Sequence, residues 1–210
     1  MARFRSVFAK GLKDFYAISV RENSAVSLVK ELSGRDCIVL LDPTMTVEAS
    51  QWRSICKPVK SLRKKTFILK YVLGDFNAGI TDCIEQIQSE HKEQVRIVDL
   101  MDEKSNYFAT GPDEFLWMIE NAAAVLTDSF HATVFSILFQ KPFMVFRRKG
   151  EDGETFGRLD TLLSQFHLEN RVYGKSDCSP LEMPNFAHSK EILRREKDRT
   201  YSFLKNALES

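Results

Sequence analysis

No apolar run in this 210-residue chain is long enough to cross a bilayer, and its first residues lack the apolar core of a signal peptide. Cysteine is sparse. Cys37, Cys56, Cys83 and Cys178 stand alone, with no pair at metal-ligand or redox spacing. Cys37 and Cys83 fall in apolar patterns and are expected as buried thiols. That usage fits a reducing compartment, so the expected location is the cytoplasm, with the inner membrane face as a peripheral alternative. Neither sign of charge dominates: 30 Lys and Arg face 29 Asp and Glu, for a formal net charge of +1. Without a polybasic tail, nucleic acid is not implied as a partner. Walker loop, GxGxxG fingerprint and zinc spacing are absent too, so no metal and no cofactor are expected.

What is present is an ordinary globular composition, 43% hydrophobic and 28% charged, enough for a real core. At roughly 100–200 residues per domain, one large domain is expected. Sixteen Phe are an excess, read as core packing ahead of an aromatic cleft. The start, Met1 to Gly11, is basic and aromatic; it reads as a short amphipathic helix or as the edge of a longer protein. The expected division is 1–15 as a remnant or linker of an amino-terminal domain, 16–188 as a Rossmann-like domain, and 189–210 as a terminal helix.

Along the chain, apolar strand-like runs alternate with helical spacing. Strands are expected at Tyr16–Val20, 38–41, 67–72, 95–99, 123–127 and 143–146. Helices are expected from Asn23 or Ser24 to Gly34, over Ala78–Glu90, from Pro112 to Asn121, over Ala132–Phe139, Arg158–Phe166 and Ser189–Leu208. Cys37–Leu41 is continuously apolar, as in a strand buried on both faces. The alternation predicts an α/β fold: an open, mainly parallel sheet with helices on both faces. Ligands in such sheets bind beyond the carboxyl ends of the strands. That rule selects Arg21-Glu22, Asp42-Pro43-Thr44 and Thr127–His131.

The sharpest segment is TDSFHATVFSI, 127–137. Asp128 and Ser129 are both capping residues before an apolar helix, and a helix amino terminus favours anions. His131 in its first turn adds a titratable group; the plainer reading is a histidine packed on the sheet. Arg21, directly after a strand, can grip a carboxylate or phosphate with two N–H groups, or merely pair with Glu22 or Asp42. Asp42-Pro43 reads as a turn. Arg147, Arg148 and Lys149 read as solvated loop charges. His91, His167 and His188 are scattered and read as structural or solvent-exposed.

Four segments in order, AISVREN at 17–23, VLLDPT at 39–44, GPDEFLWMIENAAAVLTDSFHATVFSILFQKPFMVF at 111–146 and GRLDTLLSQFHLENR at 157–171, resemble the polysaccharide pyruvyl transferase family. The resemblance implies a fold similar to the second domain of two-Rossmann-domain (B-type) glycosyltransferases. It also implies a missing amino-terminal domain or a separate partner chain, with apolar side chains, Phe4, Phe8 and Phe15 among them, near the exposed sheet edge. The implied donor is phosphoenolpyruvate. The implied acceptor is a sugar or lipid-linked oligosaccharide. His131 matches the family histidine assigned the general-acid role, and Arg21 an anion-binding arginine. Asp128, Ser129, Arg147 and Arg158 complete the expected substrate-binding set. Several members carry Arg where this chain has Ser129, so Arg147, Arg148 or Arg158 must supply that charge, or the chemistry differs. The competing expectations are a nucleotide-sugar-dependent glycosyltransferase-like domain and a non-catalytic binding domain.

Overall fold

The computed structural model describes residues 2–74, 78–90, 95–148 and 156–209. The chain opens with α1 (Ala2–Asp14), β1 (Ser19–Val20), α2 (Asn23–Ser33) and β2 (Ile38–Val39). A short helix α3 (Ala49–Ser54) leads to β3 (Phe67–Tyr71), α4 (Ala78–Glu90) and β4 (Arg96–Asp99). Then follow α5 (Pro112–Asn121), β5 (Ala124–Thr127), α6 (Phe130–Leu138), β6 (Phe143–Val145), α7 (Gly157–Gln165) and the terminal α8 (Ser189–Leu208). The fold is α/β with parallel strands flanked by helices, as the alternation predicts.

Helix ends follow local chemistry. Gly34 stops α2 in the left-handed region at φ 74°, its amide returning to the Lys30 carbonyl. Pro112 sits in the first turn of α5, where its missing N–H costs nothing.

The sheet departs from the expected single array. β3 to β6 form one parallel sheet in the order β4-β3-β5-β6, while β1 and β2 pair only with each other. The run 38–41, expected as a strand buried on both faces, pairs at only two positions. Ile38 and Val39 are half-buried, and Leu40 and Leu41 are buried beyond the strand. Asp42-Pro43 ends it by turning the chain into a short 3-10 turn, 43–45.

The four-stranded sheet divides two cores by the two-residue alternation of its strands. Phe67, Leu69, Val125, Phe143 and Val145 face the layer of α5, α6 and α7. Ile68, Ala124, Leu126 and Met144 face Ile80, Cys83 and Ile87 of α4. Phe67, Phe143, Phe146 and Phe166 are fully buried, so core packing accounts for much of the Phe excess. Each such side chain contributes about 1.5–3 kcal/mol by leaving water.

The order also sets where a ligand can enter. From β3 the chain moves outward to β4, then returns to add β5 on the other side of β3. The loops leaving β3 and β5 therefore diverge, and the crevice between them is the topological switch point.

Candidate active site

At that crevice, Asp128 follows β5 with its carboxylate 2% exposed. It does not cap α6. Oδ1 accepts from the Leu73 amide at 2.7 Å. Oδ2 accepts from the Gly74 amide and from Arg148 Nε, both at 2.8 Å. Asp128 thus ties the loop after β3 to the loop after β5 and draws in Arg148. The cap of α6 is Ser129, whose Oγ accepts from the Ala132 amide at 3.5 Å. The Ser129 amide donates to Thr127 Oγ1, which donates to the Tyr71 carbonyl. This chain of bonds sets the first turn of α6 against the sheet.

Phe130 then turns inward and His131 outward. Phe130 is 8% exposed, and the His131 side chain is 49% exposed. A cavity of about 130 Å³ adjoins it, lined by Leu73, Asp128, His131, Arg148, Phe156 and Arg158 among others. That is below the roughly 300–1,000 Å³ of pockets that enclose drug-sized ligands and suits a small anion. Arg158 lies 5.7 Å from the Phe130 ring centroid and Arg21 lies 5.6 Å from it. Arg158 also walls a groove of about 530 Å³ shared with Arg21, Glu22 and Ser24.

Asp42 joins the two halves, and sequence reasoning took it for a turn residue. Its side chain is 2% exposed. Oδ2 accepts a hydrogen bond from Arg21. Oδ1 accepts from the Thr44 amide at 3.0 Å and Thr44 Oγ1 at 2.7 Å. His131 Nε2 lies 3.9 Å from Oδ1, an ion-pair distance when the ring is protonated but too long for a hydrogen bond. Burial pushes the Asp42 carboxyl up, and the bonds from Thr44 and Arg21 outweigh it, so the group stays below its ordinary value and charged. The readable signal was an Asp at a strand end, opposite another strand end carrying Arg.

Three helix amino termini meet here: α2 just after Arg21-Glu22, α6, and α7 beside Arg158. The Asn23 amide donates to Thr161 Oγ1, fastening α2 to α7. Neither α2 nor α7 has a side-chain cap, so their positive ends add to the arginines. Arg147 points elsewhere, stacked 4.0 Å from the Phe156 centroid and bound to Asp160. His167 and His188 line neither the cavity nor the groove; His91 and Lys149 fall outside the described residues.

Residues 3–150 match the family described as Polysaccharide pyruvyl transferase. The chain belongs to that family. No curated protein and no solved structure matches it. The matched span contains Arg21, Asp42, Asp128, Ser129, His131 and Arg148, whereas Arg158 lies beyond it. Membership in the polysaccharide pyruvyl transferase family makes the chain a member of a transferase family with sugar-related substrates.

Proposed function

We propose that this site transfers pyruvate from phosphoenolpyruvate to two hydroxyls of a sugar, forming a pyruvate ketal for a cell-surface polysaccharide. The observation that carries the reading is His131 in the first turn of α6, with Arg21 and Arg158 on the Phe130 ring beside it. Phosphoenolpyruvate carries carboxylate and phosphate on one small frame, and two guanidinium groups match that charge pattern. Arg158 supplies the cation that Ser129 cannot.

The chemistry needs an acid. A proton passes from the His131 imidazolium to the methylene carbon of the enol, leaving a cation-like centre at the central carbon. One sugar hydroxyl attacks that carbon. The second hydroxyl displaces phosphate, and the two hydroxyl protons replace the one given by His131 and leave on phosphate. Asp42 holds Arg21 in place. The small cavity and the edge of the groove at Arg21 and Arg158 hold the donor, and the rest of the groove receives the sugar.

The test is thermal stability with phosphoenolpyruvate and with nucleotide sugars, since a ligand bound only by the folded state raises the melting temperature. Phosphoenolpyruvate should stabilise the chain. His131→Asn should retain that stabilisation yet cut phosphate release in a transfer assay by about 100-fold or more. Arg21→Ala or Arg158→Ala should weaken binding by about 1.5–3 kcal/mol, the scale of a charged hydrogen bond. Stabilisation by a nucleotide sugar alone would move the site to glycosyl transfer. No stabilisation by either would leave a binding domain without this chemistry.

A further inference from the structure

A second cavity, of about 630 Å³, lies at the other end of α6 from the candidate active site. The cavity by His131 adjoins the first turn of α6, whereas this one meets Ile137, Leu138 and Gln140 at its end. The residues from His131 to Leu138 separate the two by about 10 Å of helix. One wall is the start of α8, from Ser189 to Tyr201, and another is the start of α3. The volume falls within the roughly 300–1,000 Å³ of small-molecule pockets, far more than a bare inorganic ion fills.

Its polar groups are those of an anion site. Arg53, Lys190, Arg194 and Lys197 line it against two carboxylates, Glu48 and Asp198. Glu48 is bonded to Lys197, Asp198 lies 3.7 Å from Arg194, and Arg53 pairs with Glu120 at 3.1 Å. Lys190 pairs with no acidic side chain among the described residues. The start of α8 is open as well. His188 stands at the cap position without a side-chain cap, and the Ser189 amide is taken by the Phe186 carbonyl. The next two amides, of Lys190 and Glu191, have no acceptor among the described residues, so they and the positive helix end favour a negative charge. The Glu191 side chain, the acid of that first turn, is exposed and does not line the cavity. The facing end of α6 is closed, its Ser136 and Ile137 carbonyls accepting from the Lys141 and Gln140 amides.

Ser189 points to a ligand independently. It is 5% exposed and lines the cavity, yet its Oγ has no hydrogen-bond partner among the described residues. Buried hydroxyls are nearly always bonded, because an unmade bond in the interior is costly. With no protein partner holding it, this one is free to take the χ1 rotamer that a ligand requires. Ile137, Leu138, Phe166 and Leu193 make the remaining wall apolar. A phosphate monoester, with three acceptor oxygens and nearly two negative charges, matches these donors and the excess of four lining cations over two carboxylates better than a carboxylate does. We infer that this cavity binds a small organic phosphate. The phosphate accepts from the Lys190 and Glu191 amides, the Ser189 hydroxyl and the Lys190 ammonium, and the organic part lies against Phe166 and Leu193. The site stands independently of the transfer reaction.

The experiment is titration of the full chain with glucose 6-phosphate, and with glucose and inorganic phosphate as the two halves of that probe, followed by amide NMR and melting temperature. Glucose 6-phosphate should shift the Lys190 and Glu191 amide signals. Inorganic phosphate should do so about tenfold more weakly, and glucose not at all. Lys190→Glu should weaken binding by about tenfold or more, the scale of one charged hydrogen bond. Arg158→Ala, which removes a cation of the other site, should leave it unchanged. Lys190 is exposed, so circular dichroism of Lys190→Glu should match the parent chain. Ser189→Ala should raise the melting temperature of the free chain by deleting an unbonded buried hydroxyl, and shrink the further rise that glucose 6-phosphate adds. A merely structural serine would move the first and not the second. Amide shifts confined to the start of α6, binding that survives Lys190→Glu, inorganic phosphate binding as tightly as glucose 6-phosphate, or no binding by either would overturn the inference.

Discussion

At Asp42, a residue with the credentials of a turn former ends up buried between Arg21 and His131. A carboxylate held below its ordinary value stabilises the fold above about pH 3.9, and that contribution fades as pH falls through the lowered value. Asp42→Asn should therefore cost about 1–2 kcal/mol at neutral pH, a modest figure because Arg21 is partly solvated. It should also flatten the acid limb of a urea-unfolding pH profile. An unchanged acid limb would mean that other carboxylates set it. Cys83 gives a second residue-scale outcome. Burial pushes its thiol up to about 11, with Asp82 adding to the shift. Native chain at pH 8 should leave Cys83 unlabelled by iodoacetamide while denatured chain labels it.

At the scale of elements, the start of α6 depends on two ties. Ser129→Ala removes the cap and should lower stability by about 1 kcal/mol in urea melts. Gly74 matters for a different reason. A Cβ there would stand 2.8 Å from Arg148 Cγ and 3.0 Å from Asp128 Oδ2. Gly74→Ala must push the Arg148 side chain off Asp128 and loosen the loops after β3 and β5 together. The expected readout is weakened phosphoenolpyruvate binding with His131 still present. The element boundaries explain themselves locally. The four central strands stop within one or two residues of the expected 67–72, 95–99, 123–127 and 143–146 because pairing, not apolarity, decides where a ladder ends. β1 and β2 shrink to two residues each for the same reason.

Across the whole molecule, Arg171 closes the structure. Its side chain is 1% exposed, and it donates to the Phe143 carbonyl of β6 at 2.9 Å and to Ser179 O and Pro180 O at 3.2 and 3.5 Å. Arg171→Ala removes the buried donor to the Phe143 and Pro180 carbonyls, while Ser179 O keeps the Glu182 amide, and should cost about 2–4 kcal/mol. Hydrogen exchange should show the loss concentrated in β6 and in the segment that follows Arg171. Uniform loss of protection throughout the chain would mean that Arg171 serves the global fold alone. The terminal helix is tied similarly, by Lys197 to Glu48 and by Tyr201 Oη to the Thr46 carbonyl at 3.1 Å. Ile192 is buried, whereas Leu204 and Leu208 remain exposed.

Periodicity and turn chemistry were sufficient, from the sequence alone, for the α/β class, the parallel strands, the helix starts at Pro112 and Ser189, and the family. They were sufficient because each rests on neighbours in the chain, and a two- or 3.6-residue repeat is a local property. The length and order of the TDSFHATVFSI block likewise needed no coordinates. Tertiary structure alone separated β1 and β2 from the main sheet, since hydrogen-bond partners come from distant segments. It also redirected Asp128 from capping α6 to holding the loop after β3, moved Arg147 onto Asp160, and brought Arg158 to the Phe130 ring. Of the two acids the sequence offered Arg21, Glu22 and Asp42, it chose Asp42, and it set His131 Nε2 3.9 Å from that buried carboxylate. Charge pairing across a folded edge depends on which strand ends meet, and no local pattern encodes that meeting.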